Sequence, residues 1–313
     1  MTERSLDPVE DILREELDRA DAMIATARPI LRHLVANDDQ GLFNDEAVTR
    51  IRGMMTHVAT QLLFVQAGVI EALDPAAYAA EREEDLVQAL FEEGALLAHA
   101  HALTLEAQIA ERLRARGGID SVLTPLIQEL AAAKEGETAA LAIAVLAAQA
   151  RFMQQQRRME LPLGELPGDL LHAALVLLRA LGGSDEQAVE VERRVRGSYD
   201  EGCSRLGLLT RLIMTLGPKA TRALSIDHAG LALFATALAL ASGQERELTV
   251  LSFADRQFAR LALGLRAAGL RQQAVEEHFL YLHPEVALPE GFDSLRPDRA
   301  AALLAGSRPE AAT

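Results

Sequence analysis

Apolar residues recur along this chain at the three- and four-residue steps of a helix, and hardly anywhere at the two-residue step of a strand. The pattern is sharpest near the N-terminus. Leu13, Leu17, Ala20, Ile24, Ala27, Leu31 and Leu34 mark one stripe, and Val48, Ile51, Met55, Val58, Leu62, Val65 and Val69 a second. Both alternate threes and fours, the spacing of a seam suited to knobs-into-holes packing. The link DDQGLFN (38–44) is short, so the two helices are expected to form an antiparallel hairpin. Pro29 removes a backbone donor from the first helix and is expected to kink or split it. Phe64 and Ile70 widen the second stripe, which can then meet further helices of the chain or a second copy of it.

From about residue 119 the rhythm changes to shorter segments between Gly- or Pro-marked turns: 121–134, 137–159, 168–181, 185–197, 198–216, 227–242, 253–268, 271–282 and 297–305. Residues 138–150 and 229–241 are apolar nearly all round and need cover on more than one side. The punctuation is that of helices. Asp7-Pro8 and Asp74-Pro75 read as N-caps with proline in the first turn. Gly182-Gly183, Gly217, Gly243 and Gly269 read as stops. Ser184 with Gln187 and Ser252 with Asp255 resemble capping boxes. The reading is all-α, with roughly ten to thirteen helices. An acidic N-terminal hairpin or bundle (1–118) is followed by an irregular, HEAT-like array of helix pairs (119–313), without a fixed repeat period. LPLGELPG (161–168) is the clearest non-helical joint.

Composition narrows the function classes. The net charge is −15, and residues 1–120 carry 23 acidic groups against 11 arginines, a surface that repels phosphate backbones. Nucleic acid is therefore not an expected partner. Aromatic residues are 4% of the chain and Trp is absent, which disfavours a large planar cofactor. Basic residues are arginines except Lys134 and Lys219; with so much alanine, this fits coding in a GC-rich bacterial genome. One cysteine excludes an intrachain disulfide. The charged N-terminus has no leader-like apolar run, and the longest apolar stretches, 170–178 and 229–241, fall short of the ~20 residues of a membrane span. A soluble cytoplasmic protein is expected.

Motifs for chemistry are missing. There is no HExxH, no paired-cysteine metal motif, no Glu-x-x-His, no phosphate-binding GxxxxGK[ST] and no GxGxxG. No metal and no cofactor is expected. His33 and His57 fall between seam positions, but neither is followed by the acidic residue and proline of a phospho-acceptor helix, so both are read as outward-facing histidines. GSYDEGCSRLG (197–207) gathers Tyr199, Asp200, Glu201, Arg205 and the lone Cys203. A nucleophilic cysteine needs a base, and no histidine lies nearer in sequence than His172 and His228. The segment is read as helix, with Cys203 a small residue buried beneath a neighbouring helix.

These observations favour a non-catalytic, helical interaction or scaffold protein that binds a protein partner or a second copy of itself. The expected interaction face combines Val48, Ile51, Met55, Val58, Leu62 and Val65 with Arg157, Arg158, Arg193 and Arg194. The alternative is a sensor or enzyme that holds a small apolar ligand between Leu/Ala-rich helices. His99, His172, Tyr199, Cys203 and Arg205 would then be the polar groups of its pocket.

Overall fold

A computed structural model describes residues 8–36 and 45–307, and these are mostly helical with no strand among them. The helices in chain order are α1 (Pro8–Ala36), α2 (Asp45–Val69), α3 (Pro75–Glu92), α4 (Gly94–Gly117), α5 (Pro125–Ala131), α6 (Gly136–Arg158) and α7 (Gly168–Ala180). They continue as α8 (Asp185–Gly197), α9 (Arg205–Leu216), α10 (Ile226–Ser242), α11 (Arg246–Leu251), α12 (Phe258–Ala267), α13 (Gln272–Leu282) and α14 (Pro297–Gly306). No helix of the described residues is long and apolar enough to cross a membrane. The 38–44 link and the side chains of Ala27, Leu31, His33 and Leu34 lie outside the described residues.

Local chemistry sets several boundaries. Asp74 caps α3, its Oδ1 accepting from the backbone amides of Ala76 and Ala77 at 3.0 Å, and Pro75 sits next, where no donor is needed. Ser184 and Gln187 form the expected capping box of α8. Gly243 ends α10 in the left-handed conformation. Three expectations are corrected. α1 runs on as helix through Pro29 and is not split there. The helix expected over 253–268 begins only at Phe258, as α12, and a separate short helix, α11, precedes it. Arg256 between them has φ 67°, and Ser252 closes α11 from its C-terminal end instead of capping the next helix. The helix expected over 198–216 begins only at Arg205.

The chain divides into two compact units. One is built from residues up to Ala27, Leu105–Ile143 and Leu212 onward; the other from Arg28–Thr104 and Ala144–Arg211.

In the first unit α10 is the core element, buried almost without break from Ile226 to Ala239 and packed by α5, α11 and α12. Phe234 stacks on Phe253 and His278, with ring centroids 5.6 and 5.0 Å apart. Buried charges are matched. Arg246 grips Glu106 with both terminal nitrogens at 2.9 Å while its Nε donates to Thr236. Arg260 bonds Asp21 and Gln244, and so joins the first turns of the chain to α12.

In the second unit α2 packs along α3 and also meets α7 and α8. Ile51, Met54, Met55, Val58 and Leu62 are fully buried there, as are Leu86 and Leu90 of α3. Thr60 donates to Glu83 at 2.6 Å and pins the α2–α3 pair. The first two turns of α6, up to Ile143, belong to the first unit, and Ile143 is 55% exposed.

Gly230 lies inside α10 at a kink, with φ 71° and ψ 166°, and a Cβ there would lie 2.3 Å from Thr124 Cγ2. Gly230→Ala is expected to destabilise the first unit by about 2–3 kcal/mol, measured as a lowered unfolding midpoint. Thr124→Ser, which keeps the α5 cap and removes the clashing methyl, should recover part of that loss in the double variant.

Candidate functional site

The site begins with a backbone problem. Residues 161–166 lie between α6 and α7 and contain only a single 3₁₀ turn, Leu163–Glu165, so most of their polar groups lack helical partners. α2 supplies them. His57 and Gln61 stand one turn apart and face this loop. The Leu161 amide donates to His57 Nδ1 at 3.1 Å. Gln61 Nε2 donates to the Leu161 carbonyl at 2.9 Å, and Gln61 Oε1 accepts from the Leu163 amide at 3.1 Å. The loop's other end is held from the 199–205 segment. Tyr199 Oη donates to the Leu166 carbonyl at 2.8 Å, and the Arg205 amide donates to Glu165 Oε2 at 2.7 Å.

This tethered loop forms one wall of a groove of about 270 Å³, lined by Phe64, Val65, Gly68, Leu163, Gly164, Arg194, Val195, Ser198 and Tyr199. The floor is apolar. Phe64, on α2, lines the groove and is 46% exposed. The opposite wall is the last turn of α8, held down by the buried Val191 and Val195. Arg194 reaches across toward Gly68, its Nη1 3.7 Å from where a side chain would begin. Its Nε donates to Glu190 at 2.9 Å, and Arg193 grips the same carboxylate with two bonds at 2.7 Å. These two guanidinium groups hold the Glu190 carboxyl down at about 2, first through the bonds from Arg193. A smaller depression of about 80 Å³ lies on the other side of α8, lined by Gln66, His172, Val176, Arg179, Ala188 and Glu192 among others.

The sequence-predicted residues disperse. Of the apolar face, Ile51, Met55, Val58 and Leu62 are wholly inside the second unit, Val48 is half-buried, and Val65 lines the groove. Of the arginines, Arg194 lines the groove, Arg193 stands beside it on α8, and Arg157 and Arg158 are exposed in the last turn of α6. Of the five polar pocket candidates, only Tyr199 lines the groove. His99 is fully buried in α4. His172 is exposed, its Nδ1 accepting from Arg196 at 3.0 Å. Arg205 is 2% exposed, with its guanidinium 3.7 Å over the Phe152 ring and bonded to Gln149 at 3.1 Å. It braces the scaffold.

The reading of Cys203 as a packed, buried residue is corrected. Asp200 caps a 3₁₀ turn, Glu201–Cys203, and this leaves the thiol exposed. Gly207 permits the tight return: a Cβ there would lie 2.3 Å from the Glu201 carbonyl oxygen. Cys203 Sγ donates to Asp200 Oδ2 at 3.1 Å, and that bond and its negative charge push the thiol above its ordinary range. This is the reverse of a nucleophile's environment. The Tyr199 hydroxyl is pushed up to about 12, first by burial and then by the charge of Glu201.

His57 is likewise corrected. It is a half-buried tether and does not face outward. The groove's central residues, Phe64 and Leu163, belong to no site motif in the sequence. The signal available is an amide-and-imidazole pair four residues apart in α2, together with a proline-flanked loop short of backbone partners.

The chain matches no protein-family model, no curated protein and no solved structure. Among the described residues no three His, Cys, Asp or Glu side chains gather as metal ligands.

Two measurements test these environments. Asp200→Asn should speed alkylation of Cys203 several-fold at neutral pH, because it removes the charge that suppresses the thiolate. An unchanged rate would show that Asp200 does not govern the thiol. Because the Tyr199 value is raised in the fold, its stabilising contribution is complete below its ordinary 10 and is lost as pH climbs to about 12. Tyr199→Phe should delete the tyrosinate absorbance that appears nearest pH 12 and should make unfolding less dependent on pH across that window.

Proposed function

We propose that this is a non-catalytic interaction protein whose docking site is the groove between α2, α8 and the 161–166 loop. The observation that carries this is Phe64: a large aromatic side chain half in solvent, above an apolar floor, within rigidly tethered walls. The groove's own hydroxyls are committed to the scaffold, Tyr199 to the Leu166 carbonyl and Ser198 to the Val195 carbonyl.

The occupant is an amphipathic helix of a partner protein, with one or two apolar side chains against Phe64 and Leu163 and a carboxylate toward Arg194. Arg157 and Arg158 have no acidic partner among the described residues, and they add positive charge in the turn of α6 that precedes the loop. The helix pairs α2–α3, α7–α8 and α12–α13 support the HEAT-like reading of the architecture, in which such arrays present grooves to partner segments. The expected α1–α2 hairpin belongs to the same reading and rests on the two seams. The lone cysteine, exposed and unpaired, supports a reducing, cytoplasmic setting. A small apolar ligand is the weaker alternative, because the groove is open and, at about 270 Å³, smaller than an enclosing pocket.

The chain has no tryptophan, so Phe64→Trp creates a lone reporter at the centre of the groove. Its emission should shift to shorter wavelength on addition of an acidic amphipathic helical peptide, and should not shift with a lysine-rich one. Phe64→Glu should weaken capture of the partner from native extract about tenfold or more, with unchanged helicity. Capture of a stoichiometric small molecule and no protein would overturn the reading.

A further inference from the structure

α8 carries a second surface that the groove does not use. Its buried face is Val191 and Val195. On the opposite face Glu186, Val189, Arg193 and Arg196 are all exposed, and they step by three, four and three, a straight stripe along the helix. Val189 is 60% exposed at the middle of that stripe. Nearby on the α7 side, Val176 is 51% and Leu181 45% exposed. Val176 lines the same shallow depression as Ala188 of α8.

The charges on this face are incompletely matched, and in a particular order. Asp185 is paired with Arg179, and Glu192 with Arg196. Glu186 has no cation partner among the described residues. Arg193 and Arg194 share the single carboxylate of Glu190. The face therefore has a surplus negative charge in its first turn and a surplus positive charge two turns later, with an exposed valine between them. A stripe ordered acid, valine, base is complementary to itself when reversed. If two such helices lie antiparallel about a two-fold axis beside Val189, the valines meet. Each Glu186 then faces Arg193 of the second copy, and the pairing occurs twice. A parallel arrangement would set like charges side by side.

We infer that the α7–α8 face is an isologous interface at which this chain forms a homodimer, centred on Val189 and fixed in direction by Glu186 and Arg193. Val189 does not line the groove, so this dimer and the proposed partner stand or fall separately.

The test uses the full chain and its mass in solution, measured by light scattering or sedimentation at concentrations on the order of tens of micromolar. The unmodified chain should be a dimer. Glu186→Arg and Arg193→Glu should each weaken association about tenfold or more, since each sets like charges against each other. The double reversal restores the order of opposite charges and should dimerise again. An equimolar mixture of the two single variants should form a heterodimer, because one copy then carries positive charge at both positions and the other negative charge at both. Circular dichroism checks that every variant remains helical; both positions are exposed, and recovery in the mixture or the double reversal itself shows intact folding. A monomeric unmodified chain, a dimer indifferent to both single reversals, or a mixture that stays monomeric would each overturn the proposal.

Discussion

A stretch of chain that leaves a helix must find partners for its amides and carbonyls, and in the second unit this requirement organises everything around the groove. Residues 161–166 have too little helix to satisfy themselves. His57 and Gln61 offer an acceptor, a donor and a further acceptor in the order that the loop's backbone presents their complements, much as a neighbouring strand would. Tyr199 and the Arg205 amide close the other end. Two residues that look chemical in the sequence are thereby given a structural purpose. Arg205 is braced in turn by Phe152 and Gln149, so the restraint passes from the loop into α6. The groove exists because this loop cannot fold back onto Phe64.

The same economy appears in the first unit with charge in place of backbone. An interior of Leu and Ala offers ionic groups nothing, so each buried ion needs a partner of its own. Glu106 meets Arg246, and Asp21 meets Arg260. Each pair joins residues far apart in the chain. Leu and Ala supply the burial and are interchangeable in their contacts; the pairs are particular, and they set which helix lies beside which.

Much of the helical framework is legible in the sequence because helix ends announce themselves. Asp74-Pro75, Ser184 with Gln187, and Gly243 bracket helices where the sequence places them. The misreadings have physical causes. At 198–204 the stripe runs on through Ser, Asp and Gly, which are poor helix formers, and the Asp200 cap starts a 3₁₀ turn instead; at 252–257 the break comes with the positive φ of Arg256, which a one-dimensional pattern does not reveal. The seam of α2 is visible as a stripe. Its burial inside the unit is not, since a stripe looks the same whether it faces a neighbouring helix or a second molecule. Of the groove, Val65, Arg194 and Tyr199 stand out in the sequence, each for another reason. Phe64 and Leu163 join them only through a loop tether that spans about a hundred residues of sequence, and a single chain gives no hint of contact at that range.

The tether also bears on the timing of recognition. A wall already anchored at both ends undergoes no ordering when something enters, so the conformational entropy of shaping the site is settled when the chain folds. Encounters then succeed at a rate set by orientation and by the charge of Arg194, with no loop closure to wait for. The lifetime of a complex depends on how well an apolar side chain fills the space over Phe64. Sequence drift in the groove floor would tune how long a partner stays, whereas drift at His57 or Gln61 would change whether there is a fixed shape to bind at all.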